Sequence, residues 1–552
     1  MPISFAKQLM QTPKTWFAQY TITPVVLLLL VSLFVTLSGN LTFFKQVTEV
    51  YPVSNHLGFL LALLLIVFAI ISLLLVVLQF LMPLKWASGL VMIIAVFCAY
   101  FADNFGVVID VDMIRNTLQT NVSEASDLMT FGLLARVIFL ALLPTYIVFM
   151  LPLRSKAKHN VWQRKLKPML LLAVAILLLM LATIMSVSAN FSSFIREHKP
   201  LRYYINPIHP IYSGIRYVSA QFSNETAHDF VELTSYARQS QTSPLKRVVI
   251  MVVGETARSD HFGLYGYSRQ TTPLLSQQTN LVHYPNIVSC GTSTAISVPC
   301  MFSLFDREDF DVGQSHFTEN VVDVLAKANV SVLWRDNNSD SKGVALRQQF
   351  EDFRTNNNNP NCDIECRDEG LLNGLQTYID AQTNDVLIVL HQMGSHGPAY
   401  YKRYPPEFER FTPSCQSAEL SNCSQQEIIN AYDNTIVYTD YFLTKIITFL
   451  QGNSATQQST MLYVSDHGES LGEKGIYLHG LPYAFAPDAQ THVPILLWTS
   501  ENSNIDIEST QVLSQAANSH DAVAPTLLQL FAVESDAPAS KSSPLITLKT
   551  PN

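Results

Sequence analysis

The run VVIMVVGE, residues 248–255, is six apolar residues, mostly β-branched, closed by a glycine and a glutamate. An uninterrupted apolar run of that length and make-up describes a strand buried on both faces, as in the interior of an α/β sheet. Two later runs repeat the pattern. VLIVL, 386–390, is followed by His391 and, within MGSHG, by His396; MLYVS, 461–465, is followed by Asp466, His467, Gly468 and Glu469. SVLWRD, 331–336, and HVPILLW, 492–498, read as further buried strands, while TENVVDVLAKAN, QEIINAYDNTIVYTDYFLTKIITFLQ and HDAVAPTLLQLF carry helical patterns. Strands alternating with helices predict a parallel sheet covered on both faces. In such sheets ligands collect beyond the carboxyl ends of the strands. Glu255, Asp466, His467 and one or both of His391 and His396 are therefore expected to converge on one polar site.

Between the first two of these strands lies SCGTSTAISVPCMFSLF, a Gly/Ser/Thr-rich turn leading into an apolar segment. Thr294 stands where a hydroxyl beside helix-start N–H groups can meet phosphate oxygens. The plainer alternative is that Thr292, Ser293 or Thr294 caps the helix. An adjacent metal site favours the chemical role, because a divalent ion turns a poorly nucleophilic hydroxyl into an effective one. Carboxylate and imidazole ligands suit Zn²⁺, with Mn²⁺ as the other option, and no CxxC pair suggests a thiolate site.

Five apolar stretches near 20–38, 57–82, 86–106, 131–151 and 168–190 approach or exceed the ~20 residues that cross about 30 Å of hydrocarbon. The first could be an uncleaved signal anchor or a removed signal peptide. Arg136 lies close enough to a span end to snorkel. RSKAKHNVWQRKLK, 154–167, holds six basic residues and no acid, which predicts a cytoplasmic loop. The amino terminus, with Lys7 and Lys14, then lies inside, whereas 107–130, with Asp110, Asp112, Glu124 and Asp127 against Arg115, lies outside. Everything after residue 190 follows on the exterior. Six of the seven cysteines fall in that half, at 290/300, 362/366 and 415/423, as an oxidising compartment allows. Spacing alone does not fix their connectivity. A net charge of −9 and the lack of a long basic patch in this half argue against nucleic-acid binding. The expected domains are 1–190 in the membrane, 191–245 as a connector with an aromatic, interfacial stretch, and 246–552 as the soluble catalytic part.

The motifs VVGETARSDHFGLYGY, SCGTSTAISVPCMFS, WRDNNSDSKG, LHQMGSHGPAY, INAYDNTIVYTD and YVSDHGESLGEKGIYLHG resemble those of the lipid A phosphoethanolamine transferases, including the mobile colistin-resistance enzymes. That family lies in the alkaline phosphatase/sulfatase superfamily, and the resemblance covers almost the whole chain. It implies a five-helix transmembrane bundle followed by a periplasmic, sulfatase-like α/β domain in a bacterial inner membrane. It also implies phosphatidylethanolamine as donor, lipid A as acceptor, and polymyxin or colistin resistance as the outcome; a monomer is expected, which the sequence itself does not encode in readable form. By resemblance, Glu255, Thr294, Asp466 and His467 match a zinc site whose threonine becomes phosphoethanolaminated; one zinc is held firmly and a second during turnover is left open. His396 and His479 match positions for substrate phosphate or that second zinc, and Lys342 matches a phosphate-contacting lysine. His391 is grouped with these substrate-side residues. Asn116, Thr120 and Glu124 match residues that receive the lipid headgroup. The cysteines match the family's pairs Cys290–Cys300, Cys362–Cys366 and Cys415–Cys423.

Rival readings remain on chemistry alone. A sulfatase needs a CxPxR-type motif, absent around 290–300. A glycerol-phosphate transferase on the same architecture would differ in the headgroup it moves. A metal-dependent receptor or assembly factor would be indifferent to Thr294→Ala.

Overall fold

A computed structural model describes residues 21–120, 122–154, 167–224, 229–241, 243–538 and 540–549. Lys7, Lys14 and most of the basic connection, including Lys156, Lys158, Arg164 and Lys165, lie outside the described residues. The chain divides into two compact units. One comprises 1–110 and 129–216; the other comprises 111–128 and 217–552. The segment 111–128, which in sequence joins two apolar helices, thus belongs with the soluble part. The sequence boundaries at 190 and 245 do not mark this division.

In the first unit, Val53–Leu81, Leu84–Phe105, Phe131–Met150 and Lys167–Ser186 are four helices long and apolar enough to cross a membrane. Pro24–Ser38 and Leu41–Val50 form a pair bent by 58°, and counting that pair as one span gives five among the described residues. The outward faces are apolar, with Leu61, Phe139 and Leu178 all exposed. Arg136 does not snorkel. It pairs with Asp103, whose other oxygen accepts from the Thr42 hydroxyl, so the charge is neutralised where it stands. The expected aromatic connector forms the helix Ile208–Asn224, on which Tyr212, Ile215 and Phe222 are exposed.

The second unit is built on a seven-stranded sheet. In chain order its strands are β1 (Lys246–Gly254), β2 (Leu281–Tyr284), β3 (Ser331–Asp336), β4 (Gln349–Asp352), β5 (Val386–His391), β6 (Gln457–Ser465) and β7 (Ile495–Thr499). The spatial order is β2-β7-β6-β1-β5-β3-β4. β1, β3, β4, β5 and β6 pair in parallel, but β7 runs antiparallel to both β6 and β2. The sheet is therefore mixed, not wholly parallel.

Alternation explains why β1 reads as solidly apolar. Val249, Met251 and Val253 join a core with Val322 and Leu325 of the helix Val321–Lys327 and Leu527 of the helix Val523–Leu530. Val248, Ile250 and Val252 point to the other face and are equally buried. The helix Gln425–Asn453 packs on β6, burying Ile436, Phe442, Leu443 and Ile446. It starts at a capping box in which Ser424 and Glu427 satisfy each other's backbone N–H groups.

Candidate metal centre

Register brings the strand ends together. Val253 pairs with His391, Gly254 with Ser465, and Asp336 with His391. The residues that follow, Glu255 and Asp466-His467, must then emerge side by side at the carboxyl edge. Glu255, Asp466 and His467 each offer a ligand atom within 4.8 Å of the others, and all three are fully buried. The His467 Nε2 stands 3.6 Å from Glu255 Oε1 and 3.4 Å from Asp466 Oδ2.

Thr294 opens the helix Thr294–Met301, with Ser293 as an extended N-cap that makes no side-chain capping bond. The Thr292 hydroxyl donates to the Leu481 carbonyl at 2.7 Å. None of the three hydroxyls caps the helix. Thr294 Oγ1 instead donates to Glu255 Oε2 at 3.1 Å and lies 3.4 Å from His467 Nε2. A helix start favours negative charge on that oxygen. The disulfide Cys290–Cys300 closes the turn that carries it, and Cys362–Cys366 and Cys415–Cys423 are also joined.

Tautomer and protonation suit a cation. His467 Nδ1 faces the Gly468 carbonyl at 2.9 Å, an acceptor only, so Nδ1 carries the proton and Nε2 presents a lone pair to the cluster. Burial, reinforced by His479, holds the His467 imidazole well below its usual range, in the neutral ligand form. Burial pushes the Asp466 carboxyl up to about 6, although its Oδ1 accepts from the Thr256 and His467 amides. Its Oδ2 is buried without a hydrogen-bond donor. Two buried carboxylates, one neutral imidazole and one hydroxyl form a hard-to-borderline donor set that fits Zn²⁺.

The remaining predicted residues are distributed unevenly. The His479 ring lies tilted against His467, ring centres 4.3 Å apart, and edge-on to His396 at 5.8 Å. Glu469 Oε2 lies 3.1 Å from His479 Nδ1 and fixes that ring. His391 is wholly buried, its Nδ1 2.8 Å from Asp336 Oδ2. Lys342 has φ 51° and donates from Nζ to the Gln119 carbonyl at 3.1 Å. Asn116 and Thr120 belong to the same segment, the Thr120 hydroxyl bonding the Asn116 carbonyl at 2.7 Å. Glu124 falls in the helix Val122–Asp127, and its side chain lies outside the described residues.

One contributor escaped the sequence reading. Asn338 donates to Glu255 Oε2 at 2.8 Å and to the Gln392 carbonyl at 2.9 Å. Asp336 builds its turn by accepting from the Asn338 and Asp340 amides, each at 3.0 Å. The signal was its place just past β3, the same rule that located Glu255.

Comparison with known proteins agrees with this geometry. Residues 247–533 match the sulfatase family and 63–222 match a family described as phosphoethanolamine transferase EptA/EptB. The chain is 42% identical over 542 residues to the phosphatidylethanolamine transferase Mcr-1 of Escherichia coli, covering 96% of this chain and 98% of that one. This chain belongs to the phosphoethanolamine transferase family. The phosphoethanolamine transferase EptA of E. coli K12 is 36% identical over 527 residues, covering 92% of this chain and 94% of that one. Among solved structures, the integral membrane lipooligosaccharide phosphoethanolamine transferase A of Neisseria meningitidis superposes with a TM-score of 0.88 at 34% identity, covering 93% and 96% of the two chains. As a phosphoethanolamine transferase, the chain is an enzyme of the alkaline phosphatase/sulfatase superfamily with membrane helices ahead of its catalytic unit.

Proposed function

We propose that this transferase moves phosphoethanolamine from phosphatidylethanolamine to lipid A at the periplasmic face of a bacterial inner membrane, through an ester on Thr294. The observation that carries this reading is the Thr294 hydroxyl, at a helix start, 3.1 Å from Glu255 Oε2 and 3.4 Å from His467 Nε2. Glu255, Asp466, His467 and Thr294 would hold zinc, which supplies a lowered hydroxyl pKa and positive charge against the phosphoryl oxygens.

Thr294 Oγ1 attacks the donor phosphorus as the bond to the diacylglycerol oxygen breaks. The proton lost from Thr294 Oγ1 leaves, in net, on the diacylglycerol oxygen, and we assign its delivery to His479, oriented by Glu469. An oxygen of a lipid A phosphate or a neighbouring sugar hydroxyl then attacks the same phosphorus, the bond to Thr294 breaks, and the proton the acceptor gives up restores the Thr294 hydroxyl. Asn338 keeps Glu255 aligned throughout. We assign substrate contact to His396 and His479 in preference to His391, which is committed to Asp336. The acceptor gains an ammonium, so modified lipid attracts polymyxins and colistin less.

Intact-protein mass spectrometry after incubation with phosphatidylethanolamine tests the proposal. Wild type is expected to gain one phosphoethanolamine. Thr294→Ala is expected to gain none, with activity down about 10⁴-fold or more, the scale seen when a covalent nucleophile is lost. An adduct on Thr294→Ala would overturn the assignment.

A further inference from the structure

The segment 111–128 is seated on the catalytic unit at both of its ends. Its helix Val111–Gln119 packs against the Thr294–Met301 helix, and the Gln119 carbonyl receives Lys342 Nζ at 3.1 Å. At the other end stands Asp127, with only 4% of its side chain exposed. Its carboxylate takes Lys402 Nζ on Oδ1 and, at 3.0 Å on Oδ2, the Nη2 of Arg403. The Arg403 side chain is just 2% exposed. Its Nη1 pairs with Glu365, and its Nε donates to the His396 carbonyl at 2.7 Å. One planar fork therefore grips an acid from the inter-span segment, an acid of the Cys362–Cys366 loop, and the backbone of a site histidine. Three residues earlier, Tyr400 stands beside Glu469, the partner of His479.

A buried guanidinium divided among three acceptors holds them in one geometry, because none can move without stranding a charge in a low-dielectric setting. Lysine could not reproduce the grip, having no rigid fork. We infer that Arg403 is a positioning residue: through Asp127 and the His396 carbonyl it couples the seating of segment 111–128 to the placement of the His396 imidazole. The segment side of the donor headgroup site and the phosphate side are thereby set as one piece. This rests on the proposed transfer through Thr294, with the donor headgroup taken to lie toward Asn116, Thr120 and Glu124 as the family resemblance implies.

The test uses the full-length chain in phosphatidylethanolamine-containing micelles, with wild type, Asp127→Asn, Arg403→Lys and the double variant. Formation of the Thr294 adduct is followed against donor mole fraction, alongside hydrogen exchange of segments 111–128 and 393–397. Each single variant is expected to lose about tenfold or more in kcat/KM, mostly as a raised KM, because a small misplacement of a bound group is costly. The double variant is expected within about twofold of the worse single variant, since both changes break one network. Exchange should quicken in both segments. Asp127→Asn kinetics matching wild type, losses that multiply in the double variant, or quickened exchange confined to 111–128 would each overturn the coupling. If Arg403→Lys fails to fold, the isosteric Asp127→Asn decides alone, through kinetics and through exchange at 393–397. Absence of an adduct on wild type would sink the Thr294 reading, and the exchange arm would still judge the coupling.

Discussion

Thr294 takes its setting from residues that arrive on separate strand ends, and the tightest tolerance there belongs to Gly468. A Cβ at that position would lie 2.1 Å from the Ala489 carbonyl oxygen, so backbone must move to accept any side chain. Gly468 also offers the carbonyl that fixes the His467 tautomer. Gly468→Ala is expected to weaken zinc retention by about tenfold or more, the usual consequence of disturbing a ligand's supporting hydrogen bond. Metal content after gel filtration checks this, with the thermal midpoint as companion; retention equal to wild type would refute it. At this scale the sequence was most informative where chemistry follows an apolar strand at once, as with Glu255, Asp466 and His467. It was least informative where a residue acts on a ligand from elsewhere. Asn338 sits two residues beyond its strand and reaches Glu255 only because Asp336 folds the intervening turn. His391 and His396 share a local sequence, yet one turns to Asp336 and the other lies beside His479.

Among the elements, the Gln425–Asn453 helix does more than cover the sheet. Its Asp440 accepts from the Leu274 and Leu275 amides at 2.9 and 2.8 Å, pinning the loop that precedes β2. Burial pushes this carboxyl up to about 6 from an ordinary 3.8 in spite of those two donors. An acid with a raised value in the fold binds its proton more tightly there than in the unfolded chain. Its stabilising contribution is complete below the unfolded value and is lost as pH rises through about 6. Between pH 4 and 8, wild type is expected to lose about 2 kcal/mol of unfolding free energy relative to Asp440→Asn. Denaturant melts of both proteins across that range check the sign; a difference independent of pH would contradict it. Strand positions were legible because fully buried strands read as unbroken apolar runs. Direction was not, since Ile495–Thr499 has the same apolar character whichever way it runs, and only pairing shows it antiparallel.

For the molecule as a whole, covalent bracing is confined to one unit. The three disulfides lie in the sheet-based unit, while Cys98, on the helix Leu84–Phe105, is unpaired and buried. Reduction is expected to lower the thermal midpoint of the catalytic unit by several degrees, since each short-loop bridge contributes on the order of 2–3 kcal/mol. Scanning fluorimetry with and without a phosphine reductant measures this, and an unchanged midpoint would contradict it. Composition and hydropathy revealed two halves but not their border. Asp127 meets Arg403 across 276 positions, a separation at which no local pattern survives. Residues 111–128 are therefore donated to the enzyme by its anchor. A water-soluble fragment begun after the last apolar helix would keep Glu255, Thr294, Asp466 and His467 yet lack the segment that packs on the Thr294–Met301 helix and pairs with Arg403. Such a truncated preparation would leave Arg403 and Lys402 without the carboxylate that neutralises them, so what is measured on it belongs to a surface the full chain keeps covered.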